Sequence, residues 1–270
     1  MGQPVAGNPT QYMMEQAFAA AGLDWRFLTL EVPPEKLADA VTGLRAMGFR
    51  GANFTFPHKV AVAALLDELS PAAELAGAVN CVNHVGEKLI GENTDGKGFV
   101  QSLREIFDPV GKRVVILGAG GAARAIAVEL GLAGIAEITV VNRTLERGQE
   151  LVDLLRDRVK IKAELVHLKG DYEMQTEADV LVNAMSIGLA DAAARVPVAV
   201  NTLRPDLIVA DVVFNPPETW LLRTAAERGC KTLDGMEMLV NQAVISFKIW
   251  TGIDPDREVM REALEEFLAI

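Results

Sequence analysis

The stretch from Arg113 to Arg147 limits what this chain can fold into more than any other. An apolar run, Val114-Val115-Ile116-Leu117, enters a turn of small residues, Gly118-Ala119-Gly120-Gly121-Ala122-Ala123. An amphipathic helix to about Leu130 follows, and Ile138-Thr139-Val140-Val141 returns before Asn142-Arg143-Thr144. The order is strand, glycine turn, helix, strand, which demands a parallel sheet with a helix on its face. Gly118, Gly120 and Ala123 fill the pattern G-x-G-x-x-A. In that pattern the first glycine permits a tight turn, the second lets a pyrophosphate approach bare backbone, and the small third residue lets helix and strand pack closely. Amide groups at the helix start then hold the anion.

The end of the second strand selects the nucleotide. A site for NAD places Asp or Glu about 20 residues past the glycines, where it accepts from the ribose 2'-hydroxyl. Here Asn142 and Arg143 stand at that place, and Arg147 follows one helical turn on. A carboxylate would repel a 2'-phosphate, whereas guanidinium groups bind it through charge-assisted hydrogen bonds. The expected cofactor is NADP.

A length of 270 residues is enough for two domains with their own cores. The net charge of -11, with no basic cluster against it, argues against nucleic acid and anionic membrane surfaces as partners. An anionic ligand must therefore be held by a local site. Cys81 and Cys230 lie far apart in no ligand-like spacing, as expected of reduced thiols in a cytoplasmic protein without a metal centre. The N-terminus has neither a signal peptide nor the serine or threonine of a myristoylation signal, and Arg124 and Glu129 interrupt the most apolar stretch well short of a membrane span.

Ahead of the glycine turn, a helix is expected over Thr10 to Ala21, a strand over Trp25 to Val32, a helix from Pro34 to Met47 and a strand over Phe49 to Phe56. Strand and helix alternation implies an α/β unit with a largely parallel sheet. Asn53 and Thr55 share a face of that last strand, Pro57 ends it, and His58-Lys59 begin the next helix. A polar pair followed at once by a lysine suits a site at a strand's C-terminal edge better than a buried strand. A short helix at Pro71 to Leu75, a hairpin turning at Gly86-Glu87-Lys88 and a helix over Gly98 to Phe107 follow. After Arg147, strands are expected near Ile161 to Val166, Val180 to Val182 and Ile208 to Val212, with helices at Glu218 to Arg228, from Gly235 through Trp250, and from Pro255 to the end. Ala190 to Asn201 reads as irregular. The loop Asn183-Ala184-Met185-Ser186-Ile187-Gly188 leaves a strand as small residues, a suitable neighbour for a nicotinamide.

Taken together, the segments Asn53-Phe54-Thr55-Phe56-Pro57-His58-Lys59, Gly77-Ala78-Val79-Asn80, Asn93-Thr94-Asp95-Gly96, the glycine turn, Asn142-Arg143-Thr144, and Gly235-Met236-Glu237-Met238-Leu239 with Gln242 resemble the shikimate dehydrogenase family in kind and in order. The resemblance runs from Gly2 to about Gly252. It implies a substrate domain at residues 1–98, a Rossmann domain at 99–234 and C-terminal helices at 235–270 that return to the substrate domain. It also implies NADP-linked interconversion of shikimate and 3-dehydroshikimate. The family's catalytic pair falls on Lys59 and Asp95. Oxidation of a secondary alcohol sends a hydride to the nicotinamide and a proton to a base within hydrogen-bond reach, and ketone reduction draws on the same group as an acid. A free lysine titrates near ~10.4, burial lowers that value and a neighbouring carboxylate raises it. The resemblance assigns substrate hydroxyls to Thr55, Asn80 and Gln242, uncharged donors and acceptors suited to a polyol. To the cofactor it assigns Gly118, Ala119, Gly120, Gly121, Ala122, Asn142, Arg143, Thr144, Arg147, Met185 and Gly235.

The chain departs from that family around the substrate. In the first motif, G-x-P-I-x-H-S-x-S-P, Gly7 replaces the histidine, Asn8 and Thr10 the two serines that bind a carboxylate, and Gln11 the proline. Thr10 keeps a hydroxyl and Asn8 offers an amide donor, so both stay substrate-binding candidates with altered geometry. Phe214 stands for a tyrosine near the substrate and Met185 for a threonine beside the nicotinamide. These changes bear on the identity of the substrate more than on the reaction, and leave quinate or another cyclic polyol carboxylate as an alternative. A non-catalytic relative that senses a metabolite is a further one, against which the retained Lys59 and Asp95 count. The family also carries a strand before Gly2, whose absence would leave neighbouring backbone groups unpaired and lower stability. Partners are expected to be limited to the small-molecule substrate, with the protein a monomer or a homodimer.

Overall fold

Four strands of the second half are apolar on both faces because each lies inside a parallel sheet covered by helices. The computed structural model describes residues 1–270, which divide into one unit of Met1–Gly98 with Val240–Ile270 and another of Phe99–Leu239. In chain order the elements are α1 (Thr10–Ala20), α2 (Leu37–Ala46), β1 (Gly51–Asn53), β2 (Glu68–Leu69), α3 (Pro71–Ala76), β3 (Cys81–Val85), β4 (Lys88–Glu92) and α4 (Thr94–Ile106). They continue with β5 (Arg113–Leu117), α5 (Gly121–Leu132), β6 (Glu137–Asn142), α6 (Leu145–Leu154), β7 (Lys162–His167), β8 (Val180–Asn183), β9 (Ile208–Asp211), α7 (Trp220–Glu227), β10 (Lys231–Leu233), α8 (Gly235–Thr251) and α9 (Arg257–Leu268).

The unit of 99–239 is a six-stranded sheet in the order β10-β9-β8-β5-β6-β7, parallel throughout. Side chains alternate across β5. Val114 and Ile116 join α4, α5 and α6 in one core, while Val115 and Leu117 join α7 in the other. The four inner strands are buried almost end to end, whereas the edge strands β7 and β10 keep exposed residues. Strand order reverses beside β5, which is where a doubly wound sheet opens a crevice at its C-terminal edge. No helix in the protein is long and apolar enough to cross a membrane.

The first unit differs from the largely parallel sheet expected of it. Its order is β1-β3-β4-β2, with β1/β3 and β3/β4 antiparallel and only β2/β4 parallel. The hairpin between Cys81 and Glu92 imposes this, since a short turn can join only antiparallel strands. Its core gathers Leu37, Val41 and Leu44 of α2 with Phe54, Val62, Val79, Val82 and Leu89. On the other face Trp250 of α8 lies against Gly51 and donates from Nε1 to the carbonyl of Val82 at 2.9 Å.

Other expectations shift for local reasons. Trp25 to Val32 pairs only through a bridge between Gly2 and Glu31. The N–H groups of Phe27 and Thr29 instead donate to side chains of α1, Glu15 at 3.4 Å and Gln11 at 3.0 Å. The strand expected over Phe49 to Phe56 is regular only at Gly51–Asn53, because Thr55 N donates to Met1 rather than continuing the β3 ladder. Lys59 sits in a turn, and the next helical turn is the short 3-10 segment Ala61–Leu65. Helix α4 begins at Thr94, ahead of the expected Gly98, because Asn93 Oδ1 accepts from the amides of Asp95 and Gly96 and caps it there.

Candidate active site

In the first unit, Lys59 lies in the turn that contains Pro57, and its carbonyl accepts from Val79 N at 2.7 Å. That bond ties the lysine to the segment carrying Asn80. The neighbouring His58 is 1% exposed, with Nε2 2.7 Å from the carbonyl of Val32, so its ring serves packing. Asp95 lies in the first turn of α4, where the helix dipole favours a carboxylate. Lys59 Nζ donates to Asp95 Oδ2 at 2.7 Å, and Asn80 Nδ2 donates to the other oxygen at 2.9 Å. Both members of the ion pair keep partial exposure, 33% for Lys59 and 14% for Asp95. A ligand can therefore reach the ammonium.

Beneath this pair lies a buried polar layer. Asn80 Oδ1 accepts from Thr94 N at 2.6 Å, and its amide also donates to Thr94 Oγ1 at 2.9 Å. Thr94 Oγ1 in turn lies 3.4 Å from Gln242 Oε1 and 3.3 Å from Ser246 Oγ. Lys59, Asp95, Asn80 and Gln242 thus converge on one place, with Gln242 linked through Thr94. Thr55 is half-buried four residues before Lys59. Asn53, the partner of Thr55 on the strand face, donates from Nδ2 to Asn80 O at 3.1 Å, and its Oδ1 has no partner; the sequence gives no role to Thr94 or Ser246. Thr94 belongs to the segment Asn93-Thr94-Asp95-Gly96, and Ser246 stands four residues after Gln242, on the same helix face.

Asn8 and Thr10 stand at the start of α1. Asn8 Oδ1 accepts from Thr10 N at 2.9 Å, which turns the side chain so that its Nδ2 hydrogens remain for a ligand. Thr10 is buried, and Asn8 opens on a cavity of about 310 Å³ lined also by Gly7, Gln11, Tyr12 and Phe267. No hydrogen bond joins either residue to the Lys59 cluster.

In the second unit the glycine turn closes with Gly118 at φ +108°, in backbone space that glycine occupies freely. A Cβ there would lie 3.2 Å from the carbonyl of Ala184 and from Met185 Cγ. At Gly120 and Gly121 an added Cβ would meet nothing within 4 Å. No packing within the protein calls for glycine at these two positions, but a ligand approaching the backbone does. Gly120 precedes α5 without a side-chain cap, leaving the first amides to such a ligand. Ala119 and Ala122 are half-buried beside the turn, and Ala123 is fully buried in the helix–sheet contact.

Asn142 ends β6 and donates to the carbonyl of Thr144 at 2.7 Å. Arg143, Thr144 and Arg147 are exposed around the start of α6, and neither guanidinium has an ion pair within the protein. Unpaired cations beside a capless helix start, with no carboxylate at Asn142, fit a dinucleotide bearing a 2'-phosphate. Met185 N donates to Asn183 Oδ1 at 3.2 Å. A Cβ on Gly235 would lie 2.5 Å from Val212 O. Met185 and Val212 follow the C-terminal ends of β8 and β9, and Gly235 begins α8 after β10.

A doubly wound parallel sheet with an open glycine turn, in one chain with a Lys–Asp pair on a polar layer, defines a dinucleotide-dependent oxidoreductase of α/β class. The chain belongs to the shikimate dehydrogenase family. The shikimate dehydrogenase substrate binding domain matches residues 1–82, shikimate / quinate 5-dehydrogenase matches 101–190, and the shikimate 5'-dehydrogenase C-terminal domain matches 235–265. The chain is 44% identical to the shikimate dehydrogenase (NADP(+)) of Methanopyrus kandleri, over 99% of this chain and 94% of the relative. Among solved structures it resembles the ligand-free 5-ketofructose reductase of a Gluconobacter species, at 49% identity and TM-score 0.96 over 98% of this chain and 96% of the other. It also resembles the Thermus thermophilus shikimate 5-dehydrogenase in complex with NADP(H) and shikimate, at 37% identity and TM-score 0.88 over 99% and 97%.

Proposed function

We propose that the protein is an NADP-dependent dehydrogenase that interconverts 3-dehydroshikimate and shikimate, acting in the cytoplasm in chorismate biosynthesis as a monomer or a homodimer. The observation that carries this reading is the 2.7 Å contact of Lys59 Nζ with Asp95 Oδ2 over the Asn80 and Thr94 layer. Residues 1–98 with the C-terminal helices 235–270 bind the substrate, and residues 99–234 bind NADP. When bound, NADPH supplies the hydride that reduces the ketone carbon. Lys59 delivers the proton to the carbonyl oxygen and is reprotonated from solvent, which its partial exposure allows. Asp95 orients the ammonium and accepts from a substrate hydroxyl, and Asn80 fixes the carboxylate from its far side. Thr55 and Gln242 hold further ring hydroxyls, and Asn8 and Thr10 take the carboxylate end. Arg143 and Arg147 hold the 2'-phosphate, with the glycine turn on the pyrophosphate.

A second reading keeps the reaction and changes the substrate to an uncharged polyhydroxy ketone. It is favoured by the 49% identity to a 5-ketofructose reductase. Phe214, which offers no hydroxyl, agrees with it. The deciding experiment follows NADP reduction with shikimate and with quinate, and NADPH oxidation with 5-ketofructose, with NAD(H) and Lys59→Ala as controls. Turnover of shikimate with NADP, lost in the variant, supports the first reading. Turnover of the ketose alone replaces it with the second.

A further inference from the structure

Asp211 is 1% exposed at the C-terminal end of β9, a costly place for a carboxylate unless its hydrogen bonds are complete. They reach separate stretches of chain. Oδ1 accepts from Asn183 Nδ2 and from Val213 N, each at 3.0 Å, and Oδ2 accepts from Thr219 Oγ1 at 2.8 Å. Asn183 is its neighbour in register on β8 and passes the constraint on. Its Oδ1 accepts from Met185 N at 3.2 Å, and its Nδ2 donates to Ile187 O at 3.3 Å. Thr219 caps α7, accepting from Leu222 N, and its side chain lies in van der Waals reach of Gly188.

The loops held in this way are the ones that border the glycine turn. Ala184 and Met185 lie against Gly118, and Val212 and Val213 lie against Gly235. In a doubly wound sheet the dinucleotide straddles the switch point. Its adenosine end lies toward β6, where Arg143 and Arg147 stand, so its nicotinamide end falls over β8 and β9.

We infer that Asp211 is a positioning residue for the nicotinamide: by tying the loop after β8 to the loop after β9, it sets the pose from which the hydride is transferred without contributing to dinucleotide affinity. This rests on the reading of residues 99–234 as the NADP-binding unit. Asp211→Ala leaves Val213 N and one of the two Asn183 Nδ2 hydrogens without an acceptor, whereas Asp211→Asn keeps an oxygen for both and can present its amide to the Thr219 hydroxyl. Thr219→Val is a gentler, isosteric probe from the other side of the carboxylate.

The test measures NADPH binding, the fluorescence of the bound nicotinamide, and the primary deuterium isotope effect with 4-deuterated NADPH and whichever ketone the unmodified protein reduces. Because small errors of reactant alignment are costly to rate, Asp211→Ala is expected to lower turnover about 10-fold or more and to raise the isotope effect. The bound nicotinamide loses its characteristic emission, while NADPH affinity stays within about 3-fold, since charged contacts at the 2'-phosphate carry much of the binding. Asp211→Asn restores most of the turnover. If Asp211→Ala does not fold, Thr219→Val carries the test with the same signature at smaller size. Unchanged fluorescence and isotope effect in a folded variant, or equal losses of affinity and turnover, overturn the inference. Failure of the unmodified protein to bind NADPH would instead overturn the cofactor assignment.

Discussion

Lys59 Nζ and Asp95 Oδ2 stand 2.7 Å apart although 36 residues separate them in the chain. The lysine comes from a turn after β1 and the aspartate from the first turn of α4. Asn80 Nδ2 closes on the remaining aspartate oxygen. One carboxylate therefore holds both the ammonium and the polar layer below it.

If Lys59 transfers the proton, its removal is worth what positioned acid–base groups contribute. Lys59→Ala is expected to lower turnover ~10²- to 10⁴-fold, with Asp95→Asn somewhat milder. NADP affinity is expected to stay unchanged in both. Steady-state rates alongside NADPH titration check this, and a parallel loss of NADPH binding would argue for a general disruption.

The exposed guanidiniums of Arg143 and Arg147 have no partner within the protein. A hydrogen bond to a charged group is worth ~1.5–3 kcal/mol, so replacing either arginine with alanine should raise the KM for NADP about 10- to 100-fold. The KM for NAD should hardly move. An equal change with both dinucleotides would place these arginines away from the 2'-phosphate.

Gly235→Ala inserts a methyl 2.5 Å from Val212 O and 2.6 Å from Val213 C. Both are backbone atoms, which cannot swing aside as a flexible side chain does. The substitution is expected to cost about 1–3 kcal/mol of stability, as overpacking does, and to slow turnover by displacing the loop after β9. Denaturant melts and rates together test it, with an unperturbed midpoint as the contrary result.

Asp211 also leaves a mark on stability against pH. Burial pushes its carboxyl above the ordinary value of 3.8, while hydrogen bonds from Val213 N, Thr219 and Asn183 oppose that shift. As pH rises past 3.8 the unfolded chain loses this proton before the folded one does. The folded state then binds more protons, so this group's contribution declines with pH until the folded carboxyl ionises too. Asp211→Asn lacks that decline. The difference in Tm, variant minus unmodified, should grow more positive from about pH 4 upward and then level off. A difference that stays flat with pH would contradict the raised carboxyl.

The parts that could be read from the chain are those whose cause is local. The buried β5 run, the glycine turn and Asn142-Arg143 carry their meaning within about 30 residues, the span of a βαβ unit. Helices α1 and α7 begin and end within two residues of their expected bounds. Strand β10 carries no signal in the sequence, because Lys231–Leu233 is short and mostly exposed and only its pairing with β9 makes it a strand. Trp25 to Val32 alternates as a strand does, yet Gln11 and Glu15 take two of its N–H groups. Around the site, Thr94 and Ser246 gave no signal of their own, because a buried hydroxyl looks like any other until its neighbours are known.

The sequence by itself determined the α/β class and the dinucleotide turn, since periodicity and glycine placement act over short stretches, whereas Lys59 and Asp95 stood out through the family resemblance. Only the tertiary structure decided which strands pair and in which direction, and how Lys59, Asn80, Asp95 and Gln242 share one place. It alone brought three stretches of chain to the carboxylate of Asp211. The physical reason is that contacts between distant segments are set by burying shared apolar faces and by pairing every buried polar group. Both are properties of the assembled fold rather than of any single segment.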